Sequence, residues 1–263
     1  MTTAALRMPA VFVGHGSPMN AAAVNPFTAA WRDLGRTLPR PRAILAVSAH
    51  WYVRGTRVTA NTAPPTIHDF GGFPRPLYEI RYPAPGEPAL AARVVELLST
   101  EGAERSSEWG LDHGTWSVLV HAYPDADVPV VQLSIDATQP ADVHYALGQR
   151  LAPLRDEGVM LLGSGGIVHN LGRVDWSGAS PPPPWAVEFD AQVRERILAG
   201  DDAALVRYEA LGESARLAVP TPDHYLPLLY VLGSRRPDDV ARIPLTGFEL
   251  GSISMTAAVL GAA

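Results

Sequence analysis

Eight histidines and no cysteine frame the chemistry open to this chain. Three of the histidines share one setting. Ala10-Val11-Phe12-Val13 ends in Gly14-His15-Gly16-Ser17-Pro18, and Ala43-Ile44-Leu45-Ala46-Val47 runs into Ser48-Ala49-His50-Trp51. Val159-Met160-Leu161-Leu162 runs into Gly163-Ser164-Gly165-Gly166 and then His169-Asn170. Each apolar run reads as a buried strand that stops at a turn. Each delivers an imidazole past the C-terminal end of its strand, the edge where open α/β sheets bind ligands. Three occurrences of one pattern point to one shared site. Imidazole is the commonest metal-ligating side chain. A set of histidines without thiolates suits zinc, iron, copper or nickel better than magnesium. A catalytic ion keeps one position open for substrate or water.

Two further histidines sit in distinctive stretches. His224 opens an expected helix inside the Pro-bracketed turn Thr221-Pro222-Asp223-His224-Tyr225-Leu226-Pro227, with Asp223 as its expected cap. His113 lies between Asp112 and Gly114 in a loop flanked by Trp109 and Trp116. Neighbouring side chains diverge, so Asp112 is not assigned to orient His113. His121 and His144 fall in helical patterns and read as packing or surface residues. His68 sits in an aromatic loop and reads as structural.

Composition narrows the options. All 21 basic residues are arginine, so Schiff-base lysines, pyridoxal phosphate attachment and a standard P-loop are excluded. Without cysteine there is no disulfide, thiolate nucleophile or cysteine-held cluster. The net charge of -6 and the absence of a basic stripe argue against nucleic acid. The longest apolar runs are too short to span a bilayer, and no signal pattern is evident at the start, so a cytoplasmic protein is expected.

The elements that must position the histidines alternate between strand and helix. Asn25-Pro26 reads as a cap and first turn of a helix through Leu34. A short strand is expected over Arg57–Ala60 and a helix from Glu87 to about Glu101. A strand is expected over Val128–Ile135 and a helix over Asp142–Leu154. Helices follow over Trp185–Leu198 and Asp201–Leu211, with strand-like segments near Ile243 and Ile253. Pro181–Pro184 read as a stiff surface loop rather than a linker. Residues 61–88 form a long aromatic-rich loop of the kind that carries function. This alternation predicts a single α/β domain over residues 1–263, with a mainly parallel or mixed central sheet flanked by helices. The site is expected at the C-terminal edge of the strands.

In order along the chain stand Gly14-His15-Gly16-Ser17-Pro18, Ser48-Ala49-His50-Trp51, Gly72-Phe73-Pro74 and Leu77-Tyr78-Glu79-Ile80-Arg81-Tyr82-Pro83. Leu111-Asp112-His113-Gly114-Thr115-Trp116, His169-Asn170-Leu171 and Asp223-His224-Tyr225-Leu226-Pro227 follow. Together they resemble the DODA-type extradiol aromatic ring-opening dioxygenases of the class III (LigB-like) superfamily, over residues 11 to about 230. The resemblance implies one divalent metal ion held by His15, His50 and His224. His169 would be a further ligand or the catalytic base, and His113 a second catalytic histidine. It implies a catecholic substrate, such as a DOPA-like aromatic, and O₂. Iron(II) is expected for turnover, and zinc(II) is an expected occupant of purified protein. His224 stands where many class III relatives have a glutamate, which leaves more positive charge on the ion and favours a catecholate.

Phe73, Tyr78, Trp116 and Tyr225 are candidates for an aromatic wall. Arg54, Arg75, Arg81 and Arg173 are candidates to meet a substrate carboxylate. Two other readings use the same histidines: a zinc hydrolase that activates water, and a non-enzymatic binding scaffold.

Overall fold

The computed structural model describes residues 7–262. The first six residues, part of the opening stretch read for a signal pattern, lie outside it. The strands are β1 (Ala10–Gly14), β2 (Ala43–Val53), β3 (Arg57–Thr59), β4 (Glu104–Ser106) and β5 (Val130–Asp136). They continue with β6 (Val159–Gly165), β7 (Val240–Leu245), β8 (Phe248–Glu249), β9 (Ile253–Ser254) and β10 (Ala257–Gly261). The helices are α1 (Pro26–Thr37), α2 (Arg75–Glu79), α3 (Pro88–Leu97), α4 (His113–Ala122) and α5 (Ala141–Leu151). After them come α6 (Pro153–Asp156), α7 (Pro184–Ala199), α8 (Asp202–Val206), α9 (Glu213–Ala218) and α10 (Leu226–Gly233).

Eight strands form one mixed sheet in the order β4-β3-β5-β2-β6-β1-β10-β7. Its centre, β5-β2-β6-β1, is parallel. The final strands β10 and β7 add antiparallel beside β1. Alternation along β1 explains the layering. Ala10 and Phe12 face one core with α3, α5, α7 and α10, whereas Val11 and Val13 face the other with α4. Both faces of the central strands are buried, which is why they read as continuous apolar runs rather than alternating ones.

Several expectations need correction. β2 does not stop before His50 but runs to Val53. Its pairing with β5 is interrupted between Val47 and Tyr52, and its pairing with β6 ends at Ser48. His50 therefore sits inside a strand, where that strand breaks from its neighbours. The expected helix over 201–211 is α8 followed by a short 3₁₀ turn over Tyr208–Leu211. The last helix begins at Leu226, and no side chain caps it. Asp223 is therefore not its cap. β10 was not anticipated, although it lies beside β1 in the sheet. The capping box at Asn25 and Thr28 matches its sequence signature.

Candidate metal centre

Five of the eight histidines converge at the C-terminal edge of the central strands. His15 follows β1 and is buried. His50 comes from the irregular part of β2, and His113 is the first residue of α4. His169 lies four residues beyond β6, and His224 precedes α10. The His15 ring centroid is 4.9 Å from that of His50, 5.6 Å from His113 and 5.3 Å from His224. His50 and His113 are 3.9 Å apart. His169 stacks on His224 at 3.4 Å with the rings nearly parallel.

Two glycines make this crowding possible. A Cβ on Gly114 would lie 2.5 Å from Ser48 Oγ and 2.9 Å from His50 Cδ2, so α4 could not approach both. A Cβ on Gly165 would lie 2.1 Å from the His224 carbonyl oxygen. That carbonyl instead accepts from Gly166 N at 2.8 Å, which anchors the approach to α10 against the end of β6.

Hydrogen bonds fix which nitrogen of each ring faces the centre. An ionised carboxylate only accepts, so a ring nitrogen bound to one must donate. Asp69 Oδ2 receives His50 Nδ1 at 3.1 Å and His113 Nδ1 at 3.0 Å. Its other oxygen accepts from His113 N at 2.8 Å. Asp223 receives His224 Nδ1. Ser164 donates its hydroxyl to Gly114 O, so its oxygen accepts from His15 Nδ1 at 3.0 Å. Four Nε2 atoms are thereby left with bare lone pairs. No hydrogen bond holds the His169 ring among the described residues.

The Nε2 atoms of His15 and His50 lie 3.0 Å apart. Two lone pairs at that distance repel unless a cation lies between them. A proton on His50 is one solution, and His50 is held above the ordinary imidazole value. Burial opposes its charge, but the bond to Asp69 and the nearby Asp112 outweigh it. A metal ion is the other. Two nitrogens each about 2.0–2.1 Å from one ion stand roughly 3 Å apart when they subtend about a right angle. The donor nitrogens of His15, His50 and His113 lie within 4.8 Å of one another, as do donor atoms of His169, Asp223 and His224. His15, His50 and His113 could therefore hold a metal ion, while the expected ligands His169 and His224 fall in the second group, with Asp223. Carboxylates behind ligating imidazoles are the usual outer support of such sites.

Burial, reinforced by like-charge neighbours, keeps His15 and His113 below the ordinary value. His169 is pushed down to about 2 by burial and by His224, and burial holds His224 at about 4 despite Asp223. Neutral imidazoles are the form that binds metal. Asp69, although partly buried, is held well below the usual carboxylate range by its bonds to His113 and His50.

A cavity of about 230 Å³ opens onto the five rings. Its walls include Phe70, Phe73, Leu171, Trp176 and Leu250. Of the expected aromatic wall only Phe73 lines it. Trp116 is buried and donates Nε1 to Ile67 O, while Tyr225 is buried against Tyr208. Tyr78 stands behind the wall and accepts from Phe73 N. None of the four candidate arginines lines the cavity. His68 packs among Phe70, Tyr78 and Trp116 with Nε2 bonded to Ile80 O. His121 and His144 are buried and bonded to Asn20 O and the Tyr230 hydroxyl. All three are packed and hydrogen-bonded away from the cavity lining.

Sequence reasoning missed Asp69, Asp223 as an orienting group, Phe70 and Trp176. For Asp69 a usable signal existed: an acid beside aromatic residues in a long loop.

Fold and site together define a class: an α/β enzyme with a histidine-rich centre under an apolar pocket at the edge of its sheet. Residues 9–260 match the family described as the catalytic LigB subunit of aromatic ring-opening dioxygenase. The chain belongs to that family and is an aromatic ring-opening dioxygenase. It is 54% identical over 259 residues to the 4,5-DOPA dioxygenase extradiol of Escherichia coli K12, covering 97% of this chain and 95% of that one. It is 36% identical over 255 residues to the protein of the same name from Beta vulgaris, covering 92% of each. A crystal structure of an uncharacterised Escherichia coli K12 protein superposes with a TM-score of 0.86 at 49% identity. That match covers 97% of this chain and all of the other.

Proposed function

We propose that this enzyme is a metal-dependent extradiol dioxygenase that cleaves a catecholic, DOPA-like aromatic with O₂. One divalent ion is held by His15, His50, His169 and His224. The observation that carries the reading is the pair of bare Nε2 atoms of His15 and His50, 3.0 Å apart with both Nδ1 atoms already committed. When bound, the ion lowers the pKa of the diol and, as iron(II), supplies the redox chemistry for O₂. Zinc(II) suits the same imidazoles but has no redox chemistry.

The chain's own groups do the rest. His169, whose ring makes no hydrogen bond among the described residues, would serve as a further ligand to the ion or take a diol proton. His113, with Nδ1 bonded to Asp69, presents Nε2 to accept that proton or return it. Phe70 and Phe73 exclude water beside the ring. Both oxygen atoms enter the substrate, the ring opens beside the diol, and a muconic-semialdehyde type of product results.

No helix among the described residues is long and apolar enough to cross a membrane. The enzyme is read as cytoplasmic, and the -6 charge without a basic stripe fits a chain with no nucleic-acid partner.

The test is anaerobic reconstitution with iron(II), then a catechol panel read by O₂ uptake and yellow-product absorbance. Stoichiometric O₂ uptake with product is expected. Turnover under zinc without O₂ would instead favour the hydrolase reading.

A further inference from the structure

Two large apolar side chains line the cavity although the fold makes little use of them. We infer that Trp176 and Leu250 form the wall that receives the ring substituent of the substrate, and so set the preference for catechols that carry a side chain. The inference rests on the proposed catechol reading and deepens it.

Exposure orders the cavity from one end to the other. His15 and His224 are 2% and 7% exposed, whereas Leu171 and Trp176 in the same lining are 58% and 71% exposed. A diol held at the histidines therefore directs the far side of its ring toward Trp176. Phe70 and Phe73, the other aromatic members of the lining beside the histidines, pack against the core on the α4 side of the sheet. Leu250, half-buried, packs against neither core. Folding thus leaves apolar surface of Trp176 and Leu250 uncovered, and a ligand with an apolar stem gains by covering it.

The backbone fixes this wall. Leu250 is left-handed at φ 51°, next to Gly251 at φ 78°. A Cβ crowds the following carbonyl oxygen in that conformation, so the position favours glycine. Strain of this kind collects where a side chain has a task at a ligand site. The Leu250 carbonyl accepts from Asp175 N and from Ser252 N, both at 3.0 Å. Asp175 in turn closes the turn that carries Trp176. Its carboxylate accepts from Ser177 N at 2.9 Å, from the Ser177 hydroxyl at 2.6 Å and from Ser180 N at 2.8 Å. Farther back, Asn170 N donates to Ser252 O, the Ser252 hydroxyl donates to Asn170 O, and His169 bridges to Ile253. The wall therefore shares one backbone frame with His169.

The test uses the iron(II)-loaded protein with catechol, 4-propylcatechol and L-DOPA. In Trp176→Ala the ratio of kcat/KM for 4-propylcatechol to that for catechol should fall about tenfold, equivalent to about 1.4 kcal/mol. KM should carry the change, because contact with an unreacting substituent is the same before and during reaction. The ratio for L-DOPA to catechol should fall in the same sense, through the methylene of its side chain. Trp176→Phe should restore most of the ratio. Leu250→Gly, which suits the backbone but removes the side chain, should lower it. An unchanged ratio in either Trp176→Ala or Leu250→Gly would overturn the inference, since a general loss of fold acts on all three substrates alike. Absence of wild-type turnover on all three would instead defeat the catechol reading. The wall is then judged by anaerobic calorimetry with 4-propylcatechol: about tenfold weaker binding in Trp176→Ala supports it, and an unchanged dissociation constant or no binding at all ends it.

Discussion

Asp69 bridges two imidazoles, accepting from His50 Nδ1 at 3.1 Å and from His113 Nδ1 at 3.0 Å through the same oxygen. One carboxylate thus sets the tautomer of a proposed ligand and of a proposed proton carrier. Asp69→Asn can donate as well as accept, so it no longer dictates that both rings present a bare Nε2. Metal affinity or kcat/KM should fall roughly 10–100-fold, the range for lost outer-sphere partners. Metal titration with circular dichroism checks this, and wild-type affinity and activity in a folded variant would refute it.

Removing a proposed ligand is more severe. His15→Ala or His50→Ala should reduce bound metal from one per chain to none and abolish turnover. Elemental analysis of protein reconstituted and then desalted reads this directly. Full activity in either variant would break the assignment. His169→Ala should keep metal at weakened affinity while losing most of kcat, because its ring is proposed to handle a proton as well as the ion.

Gly114 is where helix α4 passes closest to the site. Gly114→Ala places a methyl 2.5 Å from Ser48 Oγ and 2.9 Å from His50 Cδ2. Overpacking of this kind costs about 1–3 kcal/mol, and here it also displaces a ligand. A lowered Tm together with weakened metal binding is expected from calorimetry and titration. An unchanged Tm would mean that the helix shifts freely.

Acid should destabilise the metal-free protein before its carboxylates titrate. His15, His113, His169 and His224 are held below the ordinary imidazole value of 6.5, His224 to about 4. Between these values the unfolded chain binds more protons than the folded one, so stability falls as pH drops from 6.5 toward about 4. His50, held above 6.5, works in the opposite sense, but it is one ring against four. Tm measured with a chelator present should decline over this interval, and less steeply in His169→Asn. A flat profile would contradict the neutral-imidazole arrangement.

Metal should act as a stabilising ligand. At a free concentration 100 times Kd it contributes about 2.7 kcal/mol. For a domain of this size that raises Tm by roughly 5–11 °C. Thermal scans with and without iron(II) or zinc(II) test it, and identical curves would show that nothing binds.

Much of this was legible in the sequence because it rests on local signals. Apolar runs ending in Gly-His, Ser-Ala-His or Gly-Ser-Gly-Gly marked β1, β2 and β6, and the histidines they lead to converge. The orienting acids were not legible. Asp69 is 44 residues from His113, and their pairing is set by where the aromatic loop folds back onto α4. Asp223 resembled a helix cap because the turn before α10 carries capping residue types. The helix starts later, which frees the carboxylate for His224. β10 escaped because Ala-Ala-Val-Leu-Gly is short, and only its place between β1 and β7 makes it a strand.

Two strands far apart along the chain lie side by side: β10 pairs with β1 along Ala10–Val13, just before His15. During synthesis, the β1–β10 pairing forms only after residues 257–261 have emerged, about 245 positions later by chain separation. A nascent chain that lacks β10 already carries all five clustered imidazoles, while β1, which leads to His15, has only β6 of its two sheet partners beside it.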